Sequence, residues 1–287
     1  SNPSVILPDW RREEAIAFVK HGLEDFSVSR EKARMSWGIP VPDDDAQVMY
    51  VWFDALTNYI STLGWPSDLF EKFWVNGEVV QTAGKDQVRF QSIMWQAMLM
   101  SANIKPTDKV VYHGFITSGG QKMSKSFGNV IDPIVLVAEY GTDALRYFLA
   151  RHISPFEDSD FTMDKFKAAY NADLANGLGN LVARVMRLAQ THLVKSDFTS
   201  LVKSDFAFPK EFTDALEKFE INKAADYIWK KIKTLDEKIT KTEPFKIIKT
   251  EEKTRKKLNA KKAQKLAEIR IKNKPLKTQT NKKITHV

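Results

Sequence analysis

The 287-residue chain contains no cysteine, which excludes disulfides and thiolate metal sites. Histidine is nearly as scarce. The five present (His21, His113, His152, His192 and His286) form no pair at i,i+4, so no protein-bound metal is expected. Long apolar runs are also missing: "SIMWQAMLM" (92–100) falls well short of the roughly 18 residues that span a bilayer, and no charged-then-apolar leader opens the chain. The expectation is a soluble, cytoplasmic protein with no membrane partner. What is present suffices for a substantial core, with 43% hydrophobic and 11% aromatic residues.

Negative charge is scarce only at one end. Residues 251–287 hold 13 Lys and Arg against 3 Glu, a net +10, which leaves the first 250 residues at −2 within an overall +8. The basic character therefore belongs to a tail. Composition favours a solvated, poorly ordered end from about residue 256 over a nucleic-acid contact.

Strand-like apolar runs alternate with helical periods in the first half. "VMYVWF" (48–53), "VVQTAG" (79–84) and "KVVYHGF" (109–115) read as buried strands. Between the last two, "DQVRFQSIMWQAMLMSA" (86–102) has helical spacing with Asp86 as N-cap, a strand–helix–strand unit of a parallel sheet. Asp54 likewise reads as an N-cap. After residue 151 no strand pattern appears, and 161–193 and 209–239 read as helices. "LVKSDF" occurs at 193–198 and again at 201–206, too short a duplication for a solenoid and expected to be a loop between helices. The fold class is α/β followed by all-α.

The stretch "ITSGGQKMSKSFGN" (116–129) follows a strand and is hinged by Gly119, Gly120 and Gly128, with nothing expected to pack it down. Lys122 and Lys125 are mobile point charges suited to a phosphate whose geometry changes during transfer, and Ser124 and Ser126 add hydroxyl donors. A Lys/Ser/Gly loop alone is more often a solvated surface. The word KMSKS, however, is the second signature of class I aminoacyl-tRNA synthetases, and the chain resembles the methionyl-tRNA synthetase family in four further stretches, in order: "SVSREKARMSWGIPVP" (27–42), "YVWFDALTNYIS" (50–61), "GKDQVRF" with Trp95 (84–95) and "NADLANGLGNLVARV" (171–185).

The resemblance implies the second half of a Rossmann-like catalytic domain over residues 1–155, an α-helical anticodon-binding domain over 156–255 and the basic tail over 256–287. It also implies an ATP-dependent ligase that activates methionine to methionyl-adenylate and transfers it to tRNA(Met), with Mg2+ accompanying ATP as substrate. By the family's motifs, Lys122, Lys125 and Arg30 would serve catalysis. Lys122, Met123, Ser124, Lys125 and Ser126, with Gly84, Lys85 and Asp86, would hold ATP. Trp52, Ala55, Tyr59, Gln91 and Trp95 would enclose methionine, whose thioether suits aromatic walls. Asn180, Arg184 and Phe245 would read the anticodon, the first two on one helical face four residues apart.

Departures accompany the match. No His-x-Gly-His, the family's first signature, occurs in the chain. The reading is therefore an incomplete portion, inactive alone, whose partner would be the missing N-terminal half. Leu56 and Gln91 stand where many relatives have proline and histidine, and Phe245 where tryptophan is frequent. A non-catalytic tRNA-binding module is the rival reading.

Overall fold

The computed structural model describes residues 5–192 and 207–272. Its nine strands are β1 (Ile6–Leu7), β2 (Ser29–Glu31), β3 (Pro40–Val41), β4 (Asp44–Met49), β5 (Val80–Gly84), β6 (Lys109–His113), β7 (Ile116–Ser118), β8 (Gln121–Lys122) and β9 (Ser159–Asp160). Among the described residues no helix is long and apolar enough to cross a membrane. The chain divides into two compact units, one of Ser1–Ala175 with Asp205–Trp229, the other of Asn176–Ser204 with Lys230–Val287.

In the first unit β1, β6 and β5 form a parallel sheet in that order, with Gln81 opposite Val110 and Gly84 opposite His113. Central β6 buries three consecutive residues, Val110, Val111 and Tyr112, as a strand covered on both faces must. Burial pushes the Tyr112 phenol up to about 12. From β5 the chain passes into a helical run that starts as a 3-10 turn (Lys85–Gln87), continues with π winding (Arg89–Met94) and ends as an α-helix (Trp95–Ser101) before β6. The expected parallel strand–helix–strand unit is thus present.

Four corrections concern local signals. "VMYVWF" is not one strand: β4 ends at Met49, and the helix Val51–Ser61 begins after Tyr50. A continuous apolar run carries no period of its own, and burial of Leu56 and Ile60, four apart, settles the second part as helix. Tyr50 therefore holds the cap position and Asp54 lies inside the first turn. Asp86 is also inside its helical run, with Gly84 at the cap position. Strand β9, two residues long, pairs parallel with β7 beyond the last expected strand; so short a strand leaves no periodic trace.

The first unit has three apolar clusters. Leu56, Ile60, Phe70, Trp74, Met94, Trp95 and Leu99 join the helix Val51–Ser61 to the run after β5. Ala15, Ala83, Val88, Val110 and Tyr112 seat the helix Asp9–Lys20 on the sheet. Phe148, Phe161 and Phe166 centre the third, which spans both sides of position 155. The compact unit accordingly continues past the expected boundary to Ala175.

The second unit contains the helices Asn180–His192 and Pro244–Lys272. The latter runs through position 256, where a poorly ordered tail was expected. Its Lys, Glu, Ala, Leu, Gln and Arg are good helix formers, and Pro244 stands where helices accept proline best. Both copies of "LVKSDF" and residues 273–287 lie outside the described residues.

Gly114, just past β6, lies so close to the backbone of Glu157 and Asp158 that a Cβ would overlap the Glu157 carbonyl and the Asp158 amide. Gly114→Ala should therefore lower stability by about 1–3 kcal/mol, the scale of overpacking, as a fall in the urea midpoint followed by tryptophan fluorescence. An unchanged midpoint would show that the two backbones part without cost.

Candidate functional site

The KMSKS stretch begins as a hairpin. β7 and β8 pair with Ser118 opposite Gln121, and both intervening residues have positive φ, 62° at Gly119 and 74° at Gly120, as a two-residue hairpin turn of the favoured type needs. Ser124 then caps a 3-10 turn, Lys125–Phe127, which ends at Gly128 with φ 64°. The loop is not loose, contrary to expectation. The Gly120 amide donates to Asp160 Oδ1 at 2.8 Å, and Thr117 Oγ1 donates to the same oxygen at 3.1 Å. Asn129 closes the other side, accepting from the Ser124 amide at 2.9 Å and donating to the Lys122 carbonyl at 3.2 Å. Met123 packs against the Phe148 cluster. Lys122, Lys125 and Ser126 remain exposed, and the Ser124 and Ser126 hydroxyls are 2.8 Å apart.

At the carboxyl end of β5 and β6 Lys85 reaches Asp158 at 2.7 Å, and Asp158 also accepts from the Phe115 amide at 2.8 Å. The Lys85 ammonium beside it, then that amide, hold the Asp158 carboxyl below the usual carboxylate range. Lys85 and Lys122 approach one ring, Phe115, at 4.8 and 5.6 Å from its centroid. Gly84 leaves that approach open, since a Cβ there would meet Asp86 Oδ1 and, further off, Phe115. Sheet end and hairpin thus bring two cations together at the edge where parallel α/β sheets bind ligands.

Of the residues expected around methionine, Gln91 and Trp95 lie on the same helical run, and Trp52, Ala55 and Tyr59 on the helix Val51–Ser61. Trp52 stacks on Phe90 at 4.4 Å, Tyr59 lies 5.9 Å from Trp95, and Gln91 Nε2 donates to Tyr59 Oη at 2.7 Å. Gln91 and Trp95 are buried, yet Gln91 Oε1 and Trp95 Nε1 have no partner among the described residues. An acceptor and a donor are thus left unpaired, and shielded from solvent, in an aromatic wall. Ala55, three residues from Trp52 and four from Tyr59, shares their helical face and is exposed. On another side of Trp95 lies an apolar cavity of about 500 Å³ lined by Phe26, Val28, Phe53, Trp65 and Met98.

Arg30, in β2, donates to the carbonyls of Ser27 and Ser29 at 2.8 and 2.7 Å and lies 3.9 Å over the Tyr50 ring. It thus borders the start of the helix that carries Trp52. In the second unit Asn180 opens its helix exposed, Arg184 pairs with Asp236, and Phe245 is 42% exposed. Sequence reasoning missed Phe90, Phe115, Asn129, Asp158 and Asp160. Phe90 was visible beside Gln91, whereas the two aspartates act across some 40 residues and leave no local mark.

The family described as tRNA synthetases class I (M) matches residues 4–186. Among curated relatives, the methionine–tRNA ligase of Fusobacterium nucleatum subsp. nucleatum is 40% identical over 270 residues, covering 88% of this chain and 41% of the relative. That of Brucella suis biovar 1 is 48% identical over 191 residues, covering 66% and 36%. Among solved structures, Mycobacterium tuberculosis methionyl-tRNA synthetase in complex with methionyl-adenylate superposes with a TM-score of 0.71 at 34% identity, covering 85% of this chain and 50% of that one. The chain spans half or less of the length of these proteins.

Asp160 tethers the hairpin, and its hydrogen bond from the Gly120 amide, then that from Lys165, hold its carboxyl below the ordinary range. A depressed pKa means that the tether is in force above that range and is lost as pH falls through the folded-state value. The Gly120 amide should be protected from exchange at pH 7, lose protection in acid, and exchange freely at every pH in Asp160→Ala. Retained protection in that variant would show that the hairpin holds itself.

Proposed function

Because the chain belongs to the class I tRNA synthetases (M), we propose that it forms the KMSKS-bearing part of a cytoplasmic methionine–tRNA ligase. The methionine carboxylate attacks the α-phosphorus of ATP and pyrophosphate leaves with its Mg2+; the acyl group then passes from the adenylate to a terminal ribose hydroxyl of tRNA(Met). The observation that carries this reading is the convergence on Phe115 of Lys122, from the tethered hairpin, and Lys85, which opens the helical run leading to Gln91 and Trp95.

In this reading Lys122 and Lys125 meet the charge that develops on the pyrophosphate. Neither has a carboxylate partner among the described residues, so nothing competes for them. Ser124 and Ser126 with the Met123 backbone, and Gly84, Lys85 and Asp86, bound the nucleotide, while Arg30 closes the pocket beside Tyr50. Trp52, Ala55 and Tyr59 take the methionine chain; Gln91 fixes the Tyr59 hydroxyl, and Trp95 Nε1 faces the sulfur. Asn180, Arg184 and Phe245 contact the anticodon. The other half of the ATP cradle, with a His-x-Gly-His, is supplied by a segment outside these 287 residues. A tRNA-binding module without chemistry is the rival, favoured by that missing signature alone.

The test is methionine-dependent exchange of pyrophosphate into ATP. The chain alone should give none, and joining it to the His-x-Gly-His half of a relative should restore it. In the joined protein Lys125→Ala should raise the barrier by about 2–4 kcal/mol, the scale of one transition-state donor. Exchange by the chain alone would overturn its incompleteness; no exchange in the joined protein would favour the module; a near-normal Lys125→Ala rate would remove Lys125 from the mechanism.

A further inference from the structure

The side-chain amide of Asn129 brackets Met123. Its Nδ2 donates to the Lys122 carbonyl at 3.2 Å and its Oδ1 accepts from the Ser124 amide at 2.9 Å, the two backbone groups that a paired strand would take. β8 is in this way prolonged past Lys122, and Ser124 is extended, with φ −149° and ψ 148°. Alternation along an extended segment turns Met123 to one side and Lys122 and Ser124 to the other. Met123 accordingly packs on the Phe148 cluster while Lys122 stands exposed. Gly128 returns the chain, at a φ of 64° that glycine adopts without strain, so the stretch 122–129 closes on itself. Lys122 and Lys125 both leave from this closed stretch, and the Lys122 ammonium reaches to 5.6 Å from the Phe115 centroid.

Order alone does not call for this clasp. Asp160 already holds the hairpin through Gly120 and Thr117, and the Phe148 cluster holds Met123. Those contacts leave open the separation between the backbone at Lys122 and the 3-10 turn that carries Lys125, and Asn129 closes it. We propose that Asn129 is a positioning residue, which fixes the spacing of Lys122 and Lys125 so that both ammonium groups meet one polyphosphate. Asn129 acts through the two lysines and does not itself contact the anion. The proposal rests on the ligase reading and adds to it a residue outside the KMSKS word. Two cations spaced in advance lose less freedom when the anion arrives than two independent ones, and a transfer reaction is sensitive to small misplacements of the groups that serve it.

The experiment is a calorimetric titration of the full 287-residue chain with inorganic tripolyphosphate, combined with hydrogen exchange. Asn129→Ala should open the Ser124 amide to exchange while the Gly120 amide stays protected, and should weaken tripolyphosphate binding about 3–10-fold, the scale of one ordered side chain. The decisive comparison is a double-mutant cycle. In a Lys125→Ala background Asn129→Ala should have no further effect, because there is no second lysine left to space; a role confined to loop stability would give the same loss in both backgrounds. Where alanine lowers the circular dichroism, Asn129→Ser, too short to reach both backbone groups, takes its place with the same expectations. Retained protection of Ser124, equal losses in the two backgrounds, or no tripolyphosphate binding by the parent chain overturns the proposal. Failure of the ligase reading shows separately, as no pyrophosphate exchange in the joined protein while the cycle on the chain still couples Asn129 to Lys125.

Discussion

The close approach of Gly114 to the backbone of Glu157 and Asp158 is the constraint on which the lysine loop depends. It brings the carboxyl end of β6 against the segment that leads into β9. With no side chain at position 114, Asp158 reaches the Phe115 amide and Lys85, and Asp160, two residues on, reaches Gly120 and Thr117. Two carboxylates on one short segment therefore position both the sheet end and the hairpin. A gap between the two backbones would detach both at once.

The charges are distributed so that positioning and availability do not compete. Asp158 is spent on Lys85 and the Phe115 amide, and Asp160 on the Gly120 amide, the Thr117 hydroxyl and Lys165, while Lys122 and Lys125 stay exposed. A half-exposed pair such as Lys85 with Asp158 contributes little to stability, on the order of 0–1 kcal/mol. Its consequence is directional: Lys85 stays over Phe115 instead of sweeping through solvent. An arriving polyphosphate would meet one oriented cation and two mobile ones.

How much was legible in the sequence follows from the range of each interaction. β5 and β6 were read to within about two residues because Val, Tyr and Gln sit between turn residues with no helical period, and the intervening run was read because Val88, Phe90, Ile93, Met94, Ala97 and Met98 follow helical spacing. "VMYVWF" misled because six apolar residues are compatible with either state, and only tertiary burial of Leu56 and Ile60 decides between them. The hairpin's freedom was misjudged for a related reason: its tethers, Asp160 and Asn129, are ordinary residues whose role exists only once β9 is beside β7. The KMSKS word located the candidate site, but the acids that hold it could not be found without the fold. At the lysine-rich end composition reported the solvation of the side chains, which where described are exposed as far as residue 266, and not the helix that runs through position 256 to Lys272.

The pocket residues carry a tension of a different kind. Trp95 is almost wholly buried, packed edge-on against Trp74, whose own Nε1 donates to the Lys105 carbonyl at 2.8 Å. Two indoles in one cluster thus differ: one is satisfied, and the other, like Gln91 Oε1, is not. Leaving a buried polar atom unpaired costs about 1–3 kcal/mol, and an apolar residue at either position would avoid the cost. Gln91 also has its amide group committed at one end only, to Tyr59, so its free oxygen is held at a fixed orientation instead of averaging over rotamers. In the proposed site, only the Trp95 N–H, a donor, could distinguish a thioether from a purely aliphatic chain, because a thioether sulfur accepts and cannot pair with the Gln91 oxygen.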